Sequence, residues 1–328
     1  MSSNQIVKMC ATKPYSDFKQ TEGPTTTKVT LSASGNVRAA FYKEKLWPKG
    51  SEITISFVGN PSRIKISDES DSTEDPLQSE IKNMDFKEAI KKIVNDRIQP
   101  LVNLKFIFVP DNTPTALIRI DFDPNKGSWS LLGTDCKFDR DSPTMNFAWF
   151  DVGTVLHEFG HALGMIHEHQ NPRNSKIQWD KEKVYAWAKE TQGWSREETD
   201  DNILNAYNID RINGSDFDPL SVMLYFFPGS LTTDNKGTQQ NLRFSATDVL
   251  WISKMYPVEN GISPDDYYKN TYKENLDNAL EKSKKVALSL LYGEGSFKIS
   301  NETMKYLAFG VACILVYLFI TRVLFKKK

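Results

Sequence analysis

HEFGHALGMIHEH, residues 157–169, contains all four histidines of the chain: His157, His161, His167 and His169. His157 and His161 are four apart, so on a helix they share one face, one turn above the other. Two neutral imidazoles so placed can share a zinc ion. Glu158 follows the first histidine, where a carboxylate can reach a metal-bound water. Zinc lowers the pKa of that water toward about 7. A neighbouring carboxylate can then take its proton while it attacks a carbonyl.

Gly164 decides the third ligand. An unbroken helix would turn the interval from His161 to His167 through roughly 600°, leaving His167 about 120° from its partner. Glycine enters the left-handed region without a Cβ clash, so a sharp bend at Gly164 can bring His167 back to the metal. Three protein ligands leave one position for water, the arrangement of a catalytic zinc site. A bare HExxH occurs by chance in many helices, whereas the extended HExxHxxGxxH is far more specific. The longer signature also requires a downstream Met-turn. DPLSVMLY, residues 218–225, supplies one with Met223 inside it; without the upstream motif, Met223 would read as a core methionine.

On these residues the chain resembles the metzincin zinc endopeptidases, and within them the astacin-like group. HEFGHALGMIHEHQNP is similar to the astacin zinc segment, and SVMLY to its Met-turn. The resemblance implies one catalytic zinc held by His157, His161 and His167, with Glu158 as general base and Met223 as the floor beneath the metal. It implies that Tyr225 binds zinc or stabilises the oxyanion; the plain alternative is an aromatic core residue. Glu168 matches the glutamate that meets the mature N-terminus in processed astacins. His169 reads as a residue behind the ligands or at the surface rather than a fourth ligand. The expected fold is therefore α+β: a zincin-like metzincin domain with a twisted mixed β-sheet, a zinc-binding active-site helix and a Met-turn.

Local patterns outside the motif agree with that fold. Residues 52–59 alternate Ile53, Ile55 and Phe57 on one face of a strand. Helical periodicity runs through roughly residues 79–98, with Ile81, Phe86, Ile90 and Ile93 inward, until Pro100 stops it. Residues 104–109 and 116–123 have the β-branched and aromatic content of buried strands. Ser128, Trp129 and Ser130 read as an edge strand, which in metzincins lies above the cleft and pairs with extended substrate; a strand that merely completes the sheet is the plain alternative. The zinc helix is expected over about 152–163 and further helices over 179–190 and 244–257, the last opened by Ser245 and Asp248 at capping-box spacing. Asp180 is a candidate N-cap, and Ser195 with Glu198 reads as another capping box.

The two ends differ in character. Residues 1–40 hold no apolar stretch of signal-peptide length and read as a loose arm around Gly23-Pro24, with no clear inhibitory switch motif; Cys10 alone is weak evidence for one. After Pro257 a linker leads to a charged, weakly amphipathic segment, 266–291, expected as a stalk helix. YLAFGVACILVYLFITRVLF, residues 306–325, is apolar except for Arg322, and KKK follows. Twenty helical residues span about 30 Å, the thickness of the hydrocarbon core, so a C-terminal transmembrane helix is expected rather than a buried one, with Arg322 snorkelling. The expected organisation is an arm (1–40), a catalytic domain (41–258), a linker or stalk (259–305), a membrane helix (306–325) and a basic tail (326–328).

Three cysteines, Cys10, Cys136 and Cys313, cannot form the two disulfides of secreted astacins. With no signal peptide, this points to a catalytic domain in a reducing compartment: a tail-anchored protein facing the cytosol, on a host membrane or one of a large DNA virus. The lysines at the distal end oppose this weakly. The near balance of 41 basic and 42 acidic residues gives no electrostatic case for a nucleic-acid partner. The favoured function is a membrane-anchored zinc endopeptidase acting on a protein or peptide. A catalytically inactive peptide-binding membrane protein is the alternative, and the retained Glu158 argues against it. A structural membrane protein with an incidental zinc site is the third reading.

Overall fold

The computed structural model describes residues 40–63, 75–173, 177–214, 216–259 and 261–292. Its main sheet has five strands: β2 (Glu52–Phe57), β3 (Lys105–Phe108), β4 (Ile118–Asp121), β5 (Trp129–Ser130) and β6 (Met145–Asn146), in the order β3-β2-β4-β6-β5. β3, β2, β4 and β6 run parallel, and β5 pairs antiparallel with β6 as the edge. The mixed sheet is the one the sequence led us to expect. Parallel neighbours need a crossover, and between β2 and β3 the chain supplies α1 (Leu77–Ile81) and α2 (Phe86–Ile93). The periodicity suggested one helix here. Asp85 instead takes extended backbone angles and accepts from the Lys87 and Glu88 amides, which starts α2 afresh.

The main core packs this sheet against several helices, among them α2, α3 (Val152–Ala162) and α6 (Ala246–Met255). Ile53, Ile55, Ile90, Ile93, Val155, Leu156 and Phe159 are all fully buried in it. A second cluster gathers Val184 and Ala188 of α4 (Lys181–Gln192) with Ile203, Tyr225, Phe227 and Leu231. Met223 belongs to the first cluster and Tyr225 to the second, so the Met-turn bridges the two. Asp180 caps α4, Ser195 and Glu198 form a capping box on α5 (Arg196–Thr199), and Ser245 and Asp248 form another on α6.

A small second sheet pairs β1 (Ala40–Tyr42) antiparallel with β7 (Ile212–Gly214). β1 also clasps the turn after α3: the Tyr42 amide donates to the Gly164 carbonyl at 2.9 Å and the Ile166 amide to the Ala40 carbonyl at 3.1 Å.

Beyond residue 257 the structure departs from the expected linker and stalk. α7 (Pro264–Tyr272) and the start of α8 (Leu276–Tyr292) belong to one compact unit that runs to Lys284. Tyr267, Tyr268, Tyr272, Leu276 and Ala279 are buried in the main core. The Tyr267 hydroxyl donates to the Arg97 carbonyl at 2.7 Å, while the Arg97 guanidinium makes a buried, forked ion pair with Asp75. Lys273, at φ +56, separates the two helices. A second unit starts at Lys285, and its described residues are the last turns of α8. The apolar segment 306–325, Cys10 and nearly all of the N-terminal arm lie outside the described residues. Among the described residues no helix is long and apolar enough to cross a membrane.

Candidate metal centre

α3 presents the first two histidines. Asp151 opens it by accepting from the Thr154 amide at 2.7 Å, and the Val152 amide donates to the Gln78 side chain at 2.8 Å. Every residue from Val152 to Ala162 is buried. Trp47 Nε1 donates to the Ala162 carbonyl at 2.7 Å and the Tyr256 hydroxyl to the Leu163 carbonyl at 2.6 Å, so distant side chains satisfy carbonyls that a helix end leaves open.

The helix ends where the sequence said it must. Gly164 has φ +91. Its amide donates to the His161 carbonyl at 2.8 Å, and the Met165 amide to the Gly160 carbonyl at 2.9 Å. This pair of bonds is a Schellman motif. It reverses the chain, and His167, with extended backbone angles, comes back beside His161. The two Nε2 atoms are 2.9 Å apart. One imidazole nitrogen from each of His157, His161 and His167 lies within 4.8 Å of the others, the group among the described residues suited to hold a metal ion.

The ring orientations favour a metal. His157 Nδ1 donates to the Val222 carbonyl and His161 Nδ1 to the Met165 carbonyl, both at 2.8 Å. A carbonyl can only accept, so each Nδ1 carries the proton and each Nε2 keeps its lone pair for a metal. His157 Nε2 is buried without a hydrogen-bond partner, an unmet acceptor that a cation would satisfy. Burial lowers the pKa of His157 to about 4 and those of His161 and His167 well below the ordinary value. The rings are thus neutral, as zinc ligation requires. The residues fit zinc.

The other predicted residues gather here. Glu158, fully buried, follows His157 on α3. The Tyr225 hydroxyl hydrogen-bonds His167 Nε2, and its ring lies 5.3 Å from that of His157. Met223 sits against α3: a Cβ built on Gly160 would come within 2.5 Å of the Met223 sulfur. His169 does not join the triad; its Nε2 faces the Asn202 carbonyl at 3.0 Å, and its ring stacks at 5.3 Å on that of His167. Burial holds its pKa at about 4. Glu168 turns away from the metal position and accepts from the Asp218 amide at 2.7 Å and the Asn171 side chain at 3.0 Å.

Sequence reading missed what holds the Met-turn. Asp248 accepts from the Ser221 hydroxyl at 2.8 Å and the Val222 amide at 3.0 Å. Asp218 accepts from the Leu220 amide at 3.0 Å, the Ser245 hydroxyl at 2.7 Å and the Ser283 hydroxyl at 2.5 Å. Burial, reinforced by neighbouring Asp218, raises the Asp248 pKa to about 7; burial likewise raises Glu168 well above the carboxylate range. Only the capping-box spacing at Ser245 hinted at this arrangement.

The comparisons agree with the geometry. The Astacin peptidase family matches residues 83–257. A solved structure of myroilysin is 34% identical, covers 67% of this chain and 99% of its own, and superposes with a TM-score of 0.53. A crystal structure of myroilysin is 33% identical, with 65% of this chain and 86% of that one covered and a TM-score of 0.44. High choriolytic enzyme 1, a hatching-enzyme zinc protease from the medaka fish Oryzias latipes, is 15% identical over 68% of this chain and 100% of its own, with a TM-score of 0.39. No curated protein matches the chain. The family match spans more than half of the sequence and includes the histidine triad and the Met-turn, so the chain belongs to the astacin family and is a zinc metalloendopeptidase that uses one catalytic zinc.

Proposed function

We propose that the zinc is held by His157, His161 and His167, that Glu158 is the general base and that Tyr225 is the oxyanion donor. The convergence of three neutral, buried imidazoles within 4.8 Å supports this most directly. Bound there, zinc supplies Lewis acidity, polarising the scissile carbonyl and acidifying water. The Glu158 carboxylate takes the proton of the attacking water and delivers it to the leaving amine. The Tyr225 hydroxyl, beside His167, donates to the oxygen on which charge develops. β5, at the sheet edge, offers backbone groups to an extended peptide. The test is cleavage of a peptide library by protein carrying one zinc, abolished by chelation and restored by zinc. Tyr225→Phe is expected to keep the metal while lowering kcat about 10²–10³-fold, the usual worth of one oxyanion donor. Wild-type turnover in that variant would make Tyr225 a packing residue.

The membrane reading is also a proposal. Residues 306–325 have the length and apolarity of a spanning helix, and the few cysteines suit a catalytic domain facing the cytosol from a host or viral membrane. The proposed zinc ligands, general base and oxyanion donor all lie between His157 and Tyr225. Deleting 306–328 is expected to release the protein from membranes in a flotation assay, with turnover on short peptides unchanged. A deleted protein that still floats refutes the anchor.

A further inference from the structure

The described residues end in two helices that the matched family region, residues 83–257, does not include. They are not appended loosely. Three tyrosines of α7 are buried in the main core, and the Arg243 guanidinium pairs with Glu274 at 2.7 Å just before α8. From the first turns of α8, Ser283 is buried and directs its hydroxyl onto Asp218 at 2.5 Å.

Asp218 is where this contact gains importance. It opens the Met-turn, and its amide donates to Glu168, the residue next to His167. Its carboxylate is shared between the Leu220 amide, the Ser245 hydroxyl and Ser283. The turn it anchors carries the Val222 carbonyl that orients His157, the Met223 carbonyl that takes the Glu168 amide, and the Tyr225 hydroxyl beside His167. Two of the three metal-binding rings therefore lean on a turn whose first residue is held from α8. A fully buried carboxylate that loses one of its donors must find another or shift.

We infer that Ser283 and Asp218 are positioning residues for the zinc ligands and that the catalytic unit of this protein extends through α7 into α8. The inference rests on the assignment of His157, His161 and His167 as the zinc ligands. The C-terminal extension then acts as a brace behind the metal centre. Partners outside the ligand shell typically set metal affinity by about 10- to 100-fold, and a brace two residues further out, acting through Asp218 and the turn, belongs at the lower end of that range.

The experiment uses the full chain loaded with one zinc. The rate of zinc release into excess chelator is measured for wild type, Ser283→Ala, Ser283→Thr and Tyr267→Phe, alongside the visible spectrum of each cobalt-substituted protein and its thermal midpoint. Alanine is smaller than serine and introduces no clash. Ser283→Ala is expected to release zinc about tenfold faster and to alter the cobalt spectrum, and Ser283→Thr, which keeps the hydroxyl, to restore both. Tyr267→Phe removes a different anchor of the extension, the bond to the Arg97 carbonyl. It is expected to lower the midpoint and leave zinc release unchanged. Wild-type release and spectrum in Ser283→Ala overturn the inference. So does equal acceleration in Tyr267→Phe, which would mark a general loss of stability. A wild-type protein that binds no zinc would instead overturn the ligand assignment, and the brace with it.

Discussion

Glu158→Gln is expected to retain its zinc and its fold while losing peptidase turnover by at least about a hundredfold, the low end of what a general base contributes. Glutamine has the size of glutamate and forms no base, so the change isolates the proton transfer. Glu158 is fully buried on α3 beside His157, where water cannot stand in for it freely. Glu158 is not among the three zinc ligands, so zinc content should stay at one per protein and the thermal midpoint near that of wild type. The decisive measurement is single-turnover cleavage with zinc content determined on the same sample. Wild-type turnover at full zinc would remove Glu158 from the mechanism.

Replacing any one of His157, His161 or His167 by alanine should strip the metal. Each ring is buried, and two are pre-set by carbonyls that hold the proton on Nδ1. With one ring gone, two imidazoles and water must complete a site that zinc prefers to fill with three protein ligands. Zinc per protein, measured by elemental analysis after dialysis against a weak chelator, is expected to fall from one to near zero. The rise in thermal midpoint on adding zinc, which follows from binding to the folded state alone, is expected to vanish with it. Full zinc in His167→Ala would show that the third ligand lies elsewhere.

What could be read from the sequence was local. The spacing of His157 and His161, the reversal at Gly164 and the capping boxes at Ser195 and Ser245 each depend on residues within a turn or two of one another. The structure has all of them. β2, β3 and β4 were visible because apolar alternation and β-branched content mark them. β6, two residues long, and β1, three, were too short to carry a period.

The rest failed for a physical reason. Asp218 and Ser283 are ordinary polar residues along the chain, Asp248 reads there as half of a capping box and Glu168 only through the family resemblance; the four become a buried network only when separate segments meet. The tyrosines of α7 lie among charged residues, so the segment looks solvated. Its burial comes from aromatic faces packed in the core, with the Tyr267 hydroxyl bonded to the Arg97 carbonyl. The single helix expected over residues 79–98 is broken because the Asp85 side chain takes the Lys87 and Glu88 amides and starts a new helix there.

The clasp on the far end of α3 bears on how the metal ligands are held. Trp47 and Tyr256, which close that end, lie 115 and 93 residues from the carbonyls they bind. β1 holds the reversal at Gly164 from the opposite side of the sequence. The ring of His157 is set by a carbonyl 65 residues downstream. Trp47 and β1 precede α3 and are available as soon as the helix and its turn are made, whereas Val222 and Tyr256 follow it, so the clasp is complete only when the later partners are present. The reversal at Gly164 brings His167 beside His161 locally, but the His157 ring gains its orienting carbonyl only from the Met-turn. The zinc segment therefore supplies the ligands, and segments from both sides of it in the chain supply the orientation in which they are held.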